Sequence, residues 1–523
     1  MPRFRLICCV FSAATALPAF GNYADDTGYN QLKAELGAAL PTGNSVGMTQ
    51  VEATPATAAY LPEAGIGTFA GTGYWTGKSF TAKSGPGILS DHAFFVGEHL
   101  YGSNTDPDRW RASMSPAVVN IDNWNANDWQ SGFLSPGGQA PVVETKAVQN
   151  HSWVNDATAA NAITIRDLVR RQDFSVNRDN YVCCVGLNNG ESTPINDVFA
   201  SAYNVISVGR SDGIHSRGTT TSDMDGAGRR KPEIVAPLDA TSFATPYVSS
   251  AAALLREKAD LINTANARKA KTLKAVLLAG ATKGEFPLWE KSATHPIDSI
   301  FGAGELNVYN SYFILDGGEQ PAGAATARPD MAWDNQSLNA AGTADYRLTV
   351  PAGMYGAELS AFIVWHRTLT NTTPPLFTLQ PDSLVNFDLT LLRDPSAGGA
   401  AVTLDSSTST LYNIEHVWKK NLPAGNYRLR VSRGAGSAHD YSIAWRLMNL
   451  PHQPLITFAF NGANIDFTFT GLLLEQPYKF QSSADLSAWT DLTSFTATAV
   501  SRTFSTPRPA GARAFFRLLP VPL

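Results

Sequence analysis

Apolar positions along the first 315 or so residues fall into two rhythms. Asn180–Gly190 (NYVCCVGLNNG) is an apolar run closed by a turn sequence, and Ala202–Arg210 (AYNVISVGR) is a second short apolar run. Such runs suit strands buried on both faces. Val46–Ala53 predicts an earlier strand. Tyr29–Leu40, Ala157–Arg171, the stretch after Ser242 and Lys269–Ala281 carry helical patterns, the first and last of them amphipathic. Strands alternating with helices predict an α/β unit built on a parallel sheet. The texture changes at Gly317. Short alternating segments follow between Gly, Pro, Asn and Asp, among them Asp345–Val350, Ala357–Trp365, Phe387–Leu392 and Asn426–Val431. They predict a β-sandwich with Trp365, Phe387, Leu389, Tyr427 and Tyr441 in its core. Pro454–Leu523 predicts a further small β-unit with a hairpin around Gly462-Ala463-Asn464.

A chain of 523 residues is too long for one core. The divisions expected are 1–24, 25–316, 317–450 and 451–523. The net charge of −5 and the lack of a basic run argue against nucleic acid or an anionic membrane surface as partner. Residues 1–24 read as a secretory signal: Arg3 and Arg5, the apolar run Leu6–Leu17, then small residues from Ala14 to Ala24. That run is too short to remain as a membrane anchor, and no later segment is apolar for long enough. Cys8 and Cys9 lie inside the signal. Cys183 and Cys184 could form a vicinal disulfide, but are read as two small buried residues on a strand.

One stretch carries chemistry. In Ala236–Leu255 (APLDATSFATPYVSSAAALL) an extended run ends at Pro237–Asp239 and small, helix-compatible residues follow Ser242, with Pro246 expected in the first turn. A serine there sits beside free backbone N–H groups and the positive helix end, which suits a nucleophile that generates an oxyanion. It also suits a plain N-cap. His92 (in SDHAFFVG) is a candidate base, or a helix-start histidine capped by Asp91. Asn188 is a candidate oxyanion donor, or half of an Asn-Gly turn. His99 is expected at the surface.

Thr241-Ser242-Phe243-Ala244-Thr245-Pro246 closely resembles the serine motif of subtilisin-like serine peptidases, with Ala240 where that family has glycine. Ser90–Gly97 loosely resembles the family's histidine motif, Lys146–Trp153 the strand beside its specificity pocket, and Asn180–Gly190 its oxyanion segment. Arg229–Pro237 resembles the lead into the serine, and Phe301–Tyr309 the closing segment. The resemblance covers about Ser45–Leu315 and implies a subtilisin-like parallel sheet flanked by helices. It implies Ser242 as nucleophile, His92 as general base and Asn188 in the oxyanion hole, with Ser152, Trp153, Val154 and Gly186 lining the substrate pocket.

The family's aspartate at the end of the first strand has no match. Gln50 falls nearest its position and Glu52 stands two residues on, on the same strand face. A carboxylate is needed to hold the imidazole in one tautomer, so Glu52 is the expected third member, with Gln50 and Asp91 as alternatives. No cofactor is expected, and no acidic loop has a calcium-ligand spacing. The C-terminal regions resemble β-domains appended to exported bacterial peptidases and are candidates for contact with a cell surface or polysaccharide. Two functions follow. One is a secreted, periplasmic or surface serine endopeptidase acting on proteins or peptides. The other is a catalytically impaired peptidase-fold adhesion protein whose β-domains bind polymers.

Overall fold

The structure, a computed structural model, describes residues 22–53, 58–65, 67–103, 113–155, 162–262, 264–323, 325–373, 377–382, 384–395, 399–509 and 513–521. Most of the expected signal, with Cys8 and Cys9, lies outside them. The first unit is built on an eight-stranded sheet. Its strands are β1 (Met48–Glu52), β2 (Thr68–Ala70), β3 (Ser79–Ala82), β4 (Asn120–Asn125), β5 (Val148–His151), β6 (Val182–Gly186), β7 (Ile206–Arg210) and β8 (Ile234–Ala236). Their order is β8-β7-β6-β5-β1-β4-β3-β2. Every pairing is parallel except that of the edge strand β2. This is the expected α/β sheet. The edge strand β2 and its neighbour β3 arise from a Gly- and Thr-rich stretch.

Helices cover both faces: α1 (Tyr23–Asp26), α2 (Tyr29–Leu36), α3 (Asp91–Tyr101), α4 (Ala162–Asp179), α5 (Thr241–Leu261), α6 (Ala270–Gly280) and α7 (Val308–Asp316). Because strand side chains alternate, Met48 joins the core cluster that contains α5, while Val51 joins the opposite cluster that contains α4. Cys184 and Cys183 separate in the same way, and both are buried free thiols.

Several boundaries differ from expectation. The helix at Tyr29 stops at Leu36, where Gly37 takes a φ of +53°. The helix expected at Ala157–Arg171 runs Ala162–Asp179, its predicted start falling partly outside the described residues. Expected to be amphipathic, α6 is buried along its whole length, Lys271 and Lys274 included. Tyr23 packs edge-on against Tyr247 at 5.1 Å and belongs to the core. Residue 24 lies within α1.

Beyond Asp330 every sheet among the described residues is antiparallel. Strands β9 (Met331–Leu338), β10 (Thr343–Val350), β11 (Met354–Val364), β12 (Phe387–Arg393), β13 (Val402–Ser407), β14 (Ile414–Leu422), β15 (Gly425–Arg433) and β16 (His439–Pro451) form two sheets. Their orders are β9-β16-β11-β14 and β10-β15-β12-β13. Trp365, Phe387, Leu389, Tyr427 and Tyr441 are all fully buried between them, and His366 and His416 are buried and hydrogen-bonded. A pair of three-stranded sheets follows, opening with the hairpin of β17 (Leu455–Asn461) and β18 (Asn464–Thr470) around Gly462-Ala463.

Candidate active site

Two helix starts and three strand ends make the site. Strand β1 lies between β4 and β5, and Met48, Gln50 and Glu52 share the face toward α3. Helix α3 is capped by Ser90, whose Oγ accepts from the Ala93 N–H at 3.3 Å, so Asp91 is the first helical residue and not the cap. The next residue, His92, turns inward. Its Nδ1 donates to Glu52 Oε2 at 2.7 Å. Glu52 is fully buried and the His92 side chain is 40 % exposed. Because the carboxylate only accepts, Nδ1 carries a proton, and the neutral ring presents its Nε2 lone pair outward. Burial alone would lower the His92 pKa, but the hydrogen bond and charge of Glu52 outweigh it and hold it above the ordinary imidazole value. Asp91 is exposed and Gln50 reaches Glu52, not His92.

Ser242 is the second residue of α5. Among the described residues its N–H has no hydrogen-bond acceptor, as expected in a first helical turn. Its Oγ donates to the Ser152 carbonyl at 3.5 Å. No hydrogen bond joins Ser242 to His92 among the described residues; the helices that carry them pack together. His99, expected at the surface, is fully buried in that contact and stacks on Phe243 at 5.1 Å. Its seven-residue spacing from His92, two helical turns, puts both histidines on one side of α3. Ala240 occupies the N-cap with φ −145° and ψ 146°, an extended conformation open to any side chain, so the family's glycine is not needed there. Pro246 is the sixth residue of α5, in the second turn rather than the first, where its missing N–H frees the Ser242 carbonyl from a helical bond.

Alanine cannot cap, and a residue that sequence reasoning passed over does so instead. Asn189 Oδ1 accepts from the Thr241 N–H at 3.0 Å and from Thr241 Oγ1 at 3.2 Å. Its neighbour Asn188 is fixed through its backbone: its N–H donates to Asp197 Oδ2 at 3.0 Å, and its carbonyl accepts from the Ser216 N–H at 2.8 Å. The Asn188 side-chain amide has no partner among the described residues. A small cavity of about 60 Å³ collects Ser152, Trp153, Val154, Gly186, Leu187, Asn188, Asn189, Thr241 and Ser242. It thus joins every pocket residue expected from the sequence to the serine and the asparagine. Gly186 is required: a Cβ there would stand 2.7 Å from Thr245 Oγ1 on α5. Behind Trp153 lie Phe199 at 5.4 Å and Trp129 at 6.2 Å. His151, in edge contact with Trp129, is pushed by burial down to about 3 and stays neutral.

No cluster of three or more His, Cys, Asp or Glu suited to a metal occurs among the described residues, and none of their helices is long and apolar enough to cross a membrane. No protein-family profile matches the chain, and no curated protein matches it in sequence. Among solved structures, the prenylagaramide maturation protease PagA is 18 % identical, over 55 % of this chain and 98 % of that one, with a TM-score of 0.36. The MycP3 protease of a type VII secretion system is 15 % identical, over 55 % of this chain and 87 % of that one, at 0.33. Fervidolysin of Fervidobacterium pennivorans, a keratinolytic enzyme related to subtilisin, is 12 % identical, over 91 % of this chain and 68 % of that one, also at 0.33.

Proposed function

We propose that the chain is a secreted subtilisin-like serine endopeptidase that cleaves protein or peptide substrates through an acyl-enzyme on Ser242. The carrying observation is the 2.7 Å hydrogen bond from His92 Nδ1 to the buried Glu52 carboxylate. It supplies the orienting charge that the sequence motif lacks. In the proposed reaction His92 Nε2 takes the Ser242 Oγ proton as Oγ attacks the scissile carbonyl carbon. The resulting oxyanion accepts from the Asn188 amide and the Ser242 N–H. Glu52 stabilises the imidazolium without taking its proton. Collapse expels the amine, protonated by His92 Nε2, and water repeats the sequence on the ester. Such hydrogen bonds are often long or poorly aligned before substrate binds, which fits the resting bond of Ser242 to Ser152. The steps call for no cofactor. Export rests on the sequence of residues 1–24, and surface or polysaccharide contact is a role proposed for the C-terminal β-domains.

The test is labelling of the protein with a fluorophosphonate probe, in parallel with Ser242→Ala. Labelling that Ser242→Ala abolishes supports the reading. A wild type that does not label, while folded, refutes it and leaves the adhesion role.

A further inference from the structure

We infer that Gln50 and Tyr101 are positioning residues, forming a buried donor relay that locks the Glu52 carboxylate beneath His92. This rests on the peptidase reading above and says how a displaced acid can serve it. Gln50 Nε2 donates to Glu52 Oε1 at 2.8 Å and to the Ala93 carbonyl at 2.8 Å. Gln50 Oε1 accepts from Tyr101 Oη at 2.5 Å and from Asn123 Nδ2 at 3.4 Å. The amide has one sensible orientation. Reversed, it would aim its oxygen at a carboxylate and a carbonyl, two acceptors, and its NH₂ at the Asn123 amide donor. The amide ties β1 directly to α3 through Ala93, the residue after His92. Both Glu52 oxygens are thereby engaged, one by the base and one by Gln50, so the carboxylate cannot rotate away.

Tyr101 anchors the other end. It is fully buried, edge-on to Trp75 at 5.3 Å. Burial and the Glu52 charge hold its pKa far above the ordinary phenol value, so it remains a donor. Its hydroxyl passes over Gly97, one turn back on α3, where a Cβ would stand 2.9 Å from Oη. The arrangement also explains the residue types. With glutamate at 52, an acid at 50 would set two carboxylates on one strand face, and like charges so placed cannot both ionise readily. A neutral amide at 50 supplies a donor instead.

Four proteins test this: wild type, Gln50→Met, Tyr101→Phe and Gln50→Asp. Two quantities are read, the pH dependence of fluorophosphonate labelling and the His92 titration by NMR of ¹³C-labelled histidine. Thermal midpoints report folding. Gln50→Met is expected to slow labelling about 10–100-fold, the size of effect seen when the partner orienting a metal-bound histidine is lost. The His92 titration should move down toward the ordinary value of about 6.5 as the carboxylate swings away. Tyr101→Phe should act in the same direction and less strongly. Gln50→Asp should also be slowed at least tenfold, although it restores the acid of the resembled family. Labelling and His92 titration unchanged in Gln50→Met or, should that variant not fold, in Tyr101→Phe would overturn the relay. So would a Gln50→Asp protein as fast as wild type. If wild type does not label at all, the peptidase reading falls, and the His92 titrations alone then decide whether Gln50 positions Glu52.

Discussion

Replacing Glu52 by Gln changes one oxygen to an NH₂ and little else. The site makes that change severe. The two carboxylate oxygens face two donors, His92 Nδ1–H at 2.7 Å and Gln50 Nε2–H at 2.8 Å, in a fully buried position. An amide offers one acceptor. If its oxygen stays on His92, its NH₂ confronts the Gln50 NH₂. If its oxygen turns to Gln50, its NH₂ donates to Nδ1, and the imidazole proton moves to Nε2, where it can no longer accept from Ser242. Loss of the imidazolium's counter-charge adds to either outcome. The corresponding carboxylate-to-amide change in an unrelated serine protease lowers kcat about 10⁴-fold, equivalent to about 5.5 kcal/mol of barrier. We expect a loss of that order in Glu52→Gln, with KM changed little. The assay is hydrolysis of fluorescein-labelled casein beside fluorophosphonate labelling, both from pH 5 to 9. In wild type Glu52 holds the His92 pKa above its ordinary value, so activity, which needs the neutral ring, should fall as pH drops through that raised pKa. Without the carboxylate the acid limb must move to lower pH. A loss under tenfold, or an acid limb that stays in place, would refute the assignment of Glu52.

Asn188→Leu should lower turnover about 10²–10³-fold with KM within a factor of two, because in the proposed mechanism the amide acts on the oxyanion alone; steady-state kinetics on the same substrate separate the two constants. Glu233 sits buried between Lys231 Nζ at 2.9 Å and Lys274 Nζ at 2.8 Å. Glu233→Gln strands two ammonium groups and should cost about 3–5 kcal/mol in urea unfolding. Lys283, buried between Trp289 and Trp418, is lowered by burial from its ordinary 10.5 to about 7. Its folded pKa lies below its unfolded one, so the unfolded chain binds the extra proton between those pH values and stability should rise with pH from about 7 to 10.5. Lys283→Met should flatten that rise in a pH series of urea midpoints.

How much of this was readable beforehand varies with the range of the forces involved. Local chemistry was legible. The apolar runs became β6 and β7, and the turn sequence after β6 placed Asn188 in one cavity with Ser242. Glu52 could be chosen because strand periodicity puts it on the same face as Gln50. What the sequence hid depends on partners distant along the chain. Asn189 is an ordinary turn residue until Thr241, 52 positions on, presents an uncapped N–H. His99 looks like a surface histidine until α5 brings Phe243 against it. Nothing local to Lys271 and Lys274 announces that Asp440, 169 positions on, and Glu233, 41 positions back, will meet them inside the fold.

That covering bears on what the β-sandwich is for. Helix α6 packs under β11 and β16, with Thr272 Oγ1 2.8 Å from Ser442 Oγ and Lys271 paired with Asp440. Arg367, just beyond β11, donates to Asp225 at 2.6 Å, and Asn204 grips its backbone from both sides, at 2.8 and 3.0 Å. Asp173 of α4, fully buried, stands 3.5 Å from the same guanidinium. An arginine, an aspartate and an asparagine so enclosed would be costly to separate, since each would lose partners it cannot replace without rearranging. A helix whose every residue is covered must likewise expose the side that carries Lys271 and Thr272, or repack, if the sandwich leaves. The sandwich is therefore a wall of the α/β unit's own core before it is anything else. Helix α6 lies on the sheet β9-β16-β11-β14, and the sheet β10-β15-β12-β13 forms the other layer.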